Sequence, residues 1–237
     1  MTSPPHLLYN TYYHIYNRGT NGENIFIQER NFLYFLNLYA KYIEPITDTY
    51  AYCLLRNHFH ILVRIKSVEE MLIVFYSNQK LNKPNKMTPP ATDQAGRPTS
   101  QIMDESFHNP PPNPFGPLYP SKQFSNFFNA YAKAINAKYG RTGSLFQHPF
   151  GRIQVLDRKQ FYRVVTYIHQ NPQKHGLVED FRDWKYSSYG ILGGKKPTNL
   201  KQNSVLDWFG GVDQYASLHK KWIDETISKP FAGEDYD

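Results

Sequence analysis

The chain has 237 residues, enough for one sizeable domain, or for one domain carrying an insert and a tail. Hydrophobic residues make up 40% and aromatics 16%, with 19 Tyr and 16 Phe, so the core is modest and some rings are expected in a groove, where rings stack on unpaired bases; packing a small core accounts for most of the others. The net charge of +7 suits a polyanionic partner, the lone Cys53 excludes an internal disulfide, and no apolar run reaches the roughly 20 residues that span a bilayer, so the expectation is a cytoplasmic chain with no membrane partner.

Met1–Leu8 lacks the basic start and apolar run of a signal peptide. Tyr9–Asn17, rich in Tyr with Thr and Ile, predicts a strand that ends in the turn residues Arg18-Gly19-Thr20-Asn21-Gly22. Phe32, Phe35, Leu36, Tyr39 and Ile43 recur at helical spacing across Glu29–Ile43, and Pro45 stops that helix. Thr47–Leu55 and His58–Ile65 read as strands joined by a tight turn at Arg56-Asn57, and Val68–Leu81 reads as a helix. Between Pro84 and Pro120 lie 10 of the 17 prolines. Such a composition cannot hold a helix or a central strand, so residues 83–120 are taken as a flexible insert. A partner-binding proline tract is the alternative.

The pattern resumes with Phe124, Phe128, Tyr131 and Ile135 tracing a helix to Gly140, then a loop over Thr142–Gln147 and a fourth strand over Pro149–Leu156. Asp157–Gln170 is the clearest helix. Asp157 can cap it with Gln160 as reciprocal partner, Phe161, Val164, Val165 and Ile168 form its buried stripe, and Pro172 and Gly176 close it. A packed tail, residues 195–237, carries one helix near Gln214–Ile227. The first six elements follow the split pattern of a ferredoxin-like α+β fold, an antiparallel sheet with helices on one face. Residues 1–194 would form the domain that carries the chemistry.

Two runs carry chemistry. In Asn57-His58-Phe59-His60-Ile61-Leu62-Val63, strand alternation puts His58 and His60 on one face and Phe59, Ile61 and Val63 on the other. Two adjacent imidazoles can hold one divalent metal with positions left over for a third ligand, water and a phosphate oxygen. They can equally be two strand histidines with no ligand role. In Tyr167-Ile168-His169-Gln170-Asn171-Pro172, Tyr167 and Asn171 are four apart and share one side of a helix that ends before Pro172. Boundary packing and a C-terminal cap would also explain them. A phenol with a pKa near ~10 is a poor nucleophile alone, and becomes useful where a metal polarises the phosphate it attacks.

These runs resemble the IS200-like, single-tyrosine HUH transposases, and within them the REP-associated tyrosine transposases. His58-Phe59-His60 resembles the histidine–hydrophobic–histidine motif, and Tyr167 to Pro172 the subgroup's YI-x-x-NP run. Arg141-Thr142-Gly143-Ser144-Leu145-Phe146-Gln147 is similar to the loop before its fourth strand, and Trp184-Lys185-Tyr186-Ser187-Ser188-Tyr189 to its post-helix segment. The resemblance implies cleavage of single-stranded DNA, at a hairpin or repeat, through a 5′-phosphotyrosine. Tyr167 would be the nucleophile, and His58, His60 and Asn171 would hold Mg²⁺ or Mn²⁺. Some relatives carry Gln as third ligand, and Gln170 adjoins Asn171, but the spacing of four from Tyr167 favours Asn171. Tyr131 ranks behind Tyr167 because it falls on an apolar helix face. Arg18, Arg56, Arg141, Arg152, Arg163 and Lys174 are the candidate backbone contacts. Monomer and homodimer both remain open. The rival readings are a hairpin-DNA-binding protein without nicking activity, and a zinc hydrolase, which lacks any H-E-x-x-H run.

Overall fold

Alternation in the central strand sets the layering. A computed structural model describes residues 5–81 and 114–226, so most of the proline-rich insert lies outside the described residues. Strands β1 (Tyr12–Arg18), β2 (Thr47–Leu54), β3 (His58–Ile65) and β4 (Gly151–Val155) form one antiparallel sheet in the order β2-β3-β1-β4. Helix α1 (Glu29–Tyr42) links β1 to β2. Helices α2 (Val68–Leu81) and α3 (Tyr119–Tyr139) lie between β3 and β4 in the chain, and α4 (Arg158–Lys174) follows β4. The α+β class and the split order stand as expected.

The helices do not keep to one face, and the physical reason lies in β2 and β3. Phe59, Ile61 and Val63 point to one side, with Tyr13 and Ile15 of β1, and are covered by α1 and α3. Phe35 packs edge-on to Phe127 at 4.7 Å and Tyr131 at 5.1 Å between those helices, and Phe128 reaches Phe59 at 5.6 Å. Each ring buried there contributes about 1.5–3 kcal/mol. Leu62, Ala51 and Cys53 point to the other side, and a bulge between Thr49 and Ala51 turns Tyr50 there too. That apolar strip also needs a cover. The expected stripe Phe161, Val164, Val165 and Ile168 supplies it, and all four residues are fully buried.

Three boundaries differ from the sequence reading. Helix α3 starts at Tyr119, so Pro120 belongs to its first turn, where a missing N–H costs nothing. Helix α4 runs through Pro172 to Lys174. Its last carbonyls remain satisfied because His175 N–H donates to Asn171 O at 3.0 Å and Leu177 N–H to Pro172 O at 2.9 Å. The tail holds two helices, α6 (Gln202–Phe209) and α7 (Val212–Thr226), broken apart at Gly210 with φ 85° and Gly211 with φ 106°, after a short α5 (Tyr189–Leu192). Trp208 meets Phe161 at 4.3 Å and Phe209 meets Tyr215 at 5.2 Å, so α6 and α7 extend the core beneath α4. The segment from Trp184 to Ser188 lies along the outer edge of β2: Leu54 N–H donates to Tyr186 O, Ser188 N–H to Tyr52 O, and the Trp184 indole to Leu54 O at 2.9 Å. No described helix is long and apolar enough to cross a membrane.

Candidate active site

Register builds the site. Arg18 lies opposite His58, Tyr16 opposite His60, and His14 opposite Leu62, so their side chains share the face that α4 covers. Tyr16 also lies opposite Gly151 of β4, and its ring crosses the glycine so closely that a Cβ there would sit 2.2 Å from it. Only glycine lets the tyrosine lie flat against the strand.

Helix α4 brings Tyr167 and Asn171 to this face. The Tyr167 ring stands edge-on to His60, with centroids 5.3 Å apart at 81°, and 6.0 Å from His14. Lys174 Nζ lies 5.3 Å from the Tyr167 ring centre. Asn171 is fully buried, with Oδ1 3.3 Å from His58 Nε2 and its amide N–H directed at Tyr167 O at 3.4 Å. A cavity of about 330 Å³ opens here, lined by Tyr16, Arg18, Arg56, His58, His60, Tyr167, Lys174 and His175 among others.

The helix is fixed from its far side as well. His219 Nδ1 lies 2.7 Å from the Tyr215 carbonyl, which only accepts, so the neutral ring carries its proton there. Its Nε2 then accepts from His169 Nδ1–H at 2.8 Å, and His169 Nε2 accepts from the Ser188 hydroxyl at 2.8 Å. The Ser188 oxygen in turn accepts from Tyr52 N–H at 2.8 Å. This directed chain ties α7, α4 and β2 together with the Tyr167/Asn171 side of α4 facing the histidines.

Four imidazoles cluster at the site: His60 Nδ1 is 3.0 Å from His14 Nε2, and the His58 ring lies 5.2 Å from His60 and 4.8 Å from His175. Burial holds His58 down at about 4, and the neighbouring His175 adds to the shift. Burial, then His14, holds His60 well below its ordinary value, and burial alone brings His14 to about 3. All three are neutral near pH 7, the form that ligates metals.

The contacts of His58 bear on whether a cation fits. Nδ1 meets Asn57 Oδ1 at 2.7 Å and Nε2 meets Asn171 Oδ1 at 3.3 Å. Both amides direct their nitrogens elsewhere, to Gly22 O and Tyr167 O, so oxygen faces His58 on both sides. A neutral imidazole carries one proton, so one of the two contacts sets lone pair against lone pair. With the proton on Nδ1, Nε2 and Asn171 Oδ1 converge as two donors suited to one cation. Among the described residues, no group of three or more His, Cys, Asp or Glu is arranged to hold a metal.

Of the six basic residues singled out in the sequence, Arg18, Arg56 and Lys174 line the cavity. Arg141 is ion-paired with Glu23. Arg152 lies opposite Ile15 on the other sheet face, with its guanidinium 3.8 Å from the Phe150 ring centre. Arg163 is one turn before Tyr167 on α4, outside the lining. Tyr131 is fully buried, its hydroxyl donated to Ile25 O at 2.8 Å. Sequence reasoning missed His14 and His175. His14 alternates with Tyr12 and Tyr16, but only the register puts it beside His60. His175 follows Asn171 by four residues, a helical spacing hidden by the expected stop at Pro172.

Over 52 residues the chain is 40% identical to a Haemophilus influenzae (strain Rd) protein named as a REP-associated tyrosine transposase. The chain is similar to the REP-associated tyrosine transposases. The aligned stretch covers 22% of this chain and 29% of that relative. A solved structure of a REP-associated tyrosine transposase bound to a REP hairpin aligns with 81% of this chain and 83% of its own, at 12% identity and a TM-score of 0.48. No family profile matches the chain.

Proposed function

We propose that this chain nicks and rejoins single-stranded DNA at a hairpin or repeat, with Tyr167 as nucleophile. The observation that carries the reading is the meeting of Tyr167 with His60, at 5.3 Å between ring centres, in a cavity that also holds His58, Arg18, Arg56 and Lys174. His58, His60 and Asn171 would hold Mg²⁺ or Mn²⁺, and a divalent ion there supplies Lewis-acid polarisation of the scissile phosphate. Arg18, Arg56 and Lys174 hold the strand by its phosphates. The Tyr167 oxygen attacks phosphorus and gives up its proton. The bond from phosphorus to the 3′ oxygen breaks, and that oxygen takes a proton to become a free 3′-hydroxyl. The 5′-phosphate stays on Tyr167, and a second 3′-hydroxyl attacking the phosphotyrosine joins a new strand. The bond energy is kept in the covalent link, so no nucleotide cofactor is required. Tyr167 and the two histidines meet within one chain, which supports a site completed in cis.

The test uses a labelled hairpin carrying a library of single-stranded flanks, incubated with the protein and Mn²⁺ or Mg²⁺. A denaturing gel should show a protein–DNA adduct that Tyr167→Phe abolishes while binding persists. Binding with no adduct from the wild-type chain would leave a hairpin-binding protein without nicking activity.

A further inference from the structure

A second groove adjoins the cavity, and the two share Asn24 and Arg56 in their linings. It measures about 430 Å³ and is walled by the loop before α1 (Asn24, Ile27, Gln28), the tip of the β2–β3 hairpin (Arg56), and Trp184 and Tyr186 on the edge of β2. Its floor is a row of parallel rings. Phe26 stacks on Phe32 at 4.3 Å and 11°, and Phe32 on Tyr186 at 3.8 Å and 5°. Phe26 and Phe32 are buried, whereas Tyr186, the end of the row, is half-exposed. The Tyr186 hydroxyl oxygen is itself buried, so it is the ring and not the hydroxyl that the groove exposes. Trp184 stands 6.1 Å from Tyr186 at 73° and forms the opposite rim.

We propose that this groove takes an unpaired nucleobase from the DNA strand that passes through the cavity, so that Trp184 and Tyr186 read a flank of the scissile link. The proposal rests on the nicking reading for the identity of the strand. Three observations favour a nucleotide. The groove is continuous with the cavity through Arg56, two residues from His58, so a phosphate held there has its base within reach of both. An aromatic row at stacking distance that ends in a half-exposed ring offers a π face, which every base can match. The exposed Asn24 and Gln28 amides offer hydrogen-bonding groups to a base edge.

The test uses hairpin oligonucleotides that carry an abasic residue at successive flank positions. With wild-type protein, one or two adjacent abasic positions within a few nucleotides of the scissile link should weaken binding about 10-fold, the order of one base–aromatic stack. With Tyr186→Ala the intact oligonucleotide should bind about 10-fold more weakly, and the abasic penalty should vanish. Because that variant uncovers Phe32, wild-type protein is also photocrosslinked to 5-iodouracil placed at the sensitive positions, and the adducts should map to Trp184 or Tyr186. Equal binding at every abasic position, or crosslinks only outside this groove, would overturn the proposal. A tyrosine adduct without abasic sensitivity would remove the groove and leave nicking intact. Abasic sensitivity with mapped crosslinks but no adduct would keep the groove and remove the nicking reading.

Discussion

Gly151→Ala tests how the floor of the cavity is built. The added methyl would lie 2.2 Å from the Tyr16 ring, whereas ordinary contact begins at 3.4 Å, so the ring must withdraw by about 1.2 Å. β4 blocks movement toward the glycine, and Tyr16 has His14 at 5.2 Å and His60 at 6.0 Å as its ring neighbours. The ring is therefore pushed toward the cavity it lines. Overpacking of this size costs about 1–3 kcal/mol. At about 2–4 °C per kcal/mol for a chain of this length, the melting temperature should fall by roughly 2–12 °C. Adduct formation should fall further than stability explains, because His60 is next in line. Calorimetry on Gly151→Ala, Tyr16→Leu and the double variant checks the reasoning: the second substitution removes the clash, so the pair should couple by about 1 kcal/mol or more. Additive losses, or an unchanged melting temperature for Gly151→Ala, would refute the picture of Tyr16 lying across the glycine.

Mn²⁺ at ten times its dissociation constant should stabilise the wild-type chain by about 1.4 kcal/mol, a rise of roughly 3–6 °C. His58→Ala and Asn171→Leu should each abolish that rise in a thermal melt, while the apo protein loses much less with Asn171→Leu, whose two contacts are long at 3.3 and 3.4 Å. Burial holds His219, packed against His169, Tyr189 and Tyr215, down at about 4 against an ordinary 6.5. The unfolded chain therefore binds the extra proton first as pH falls, so this contribution is complete above about pH 6.5 and is lost between pH 6.5 and 4, by at most about 3 kcal/mol. Denaturant melts of wild type and His219→Gln should converge toward pH 4, and a gap that widens on acidification would contradict the burial argument.

Local periodicity reaches some of this and not the rest. His58 and His60 share a face because strands alternate, and Tyr167 and Asn171 share one because four residues make about one helical turn. Which face of β4 Arg152 occupies depends on register against β1, a non-local pairing that the sequence does not show. Two-sided burial of the sheet was hidden because Leu62, Ala51 and Cys53 belong to two strands and form an apolar strip only once paired. Pro172 was overweighted: a proline removes one helical hydrogen bond, and the hydrogen bonds to the Asn171 and Pro172 carbonyls hold the last turn regardless.

The hydrogen-bonded chain through Ser188, His169 and His219 bears on where this protein can be divided. A polypeptide ending at Gly194 would keep every residue of the cavity lining, yet it would strip His169 of its acceptor and bare Phe161 and Tyr162, whose rings meet Trp208 and Phe209. The side of the tyrosine-bearing helix that faces α6 and α7 would then meet water, and its rotation would rest on the sheet-facing stripe and the Ser188–His169 hydrogen bond without the anchor from α7. Residues 202–219 pack into the core on that side of the sheet and should melt together with it, although none of them lines the cavity.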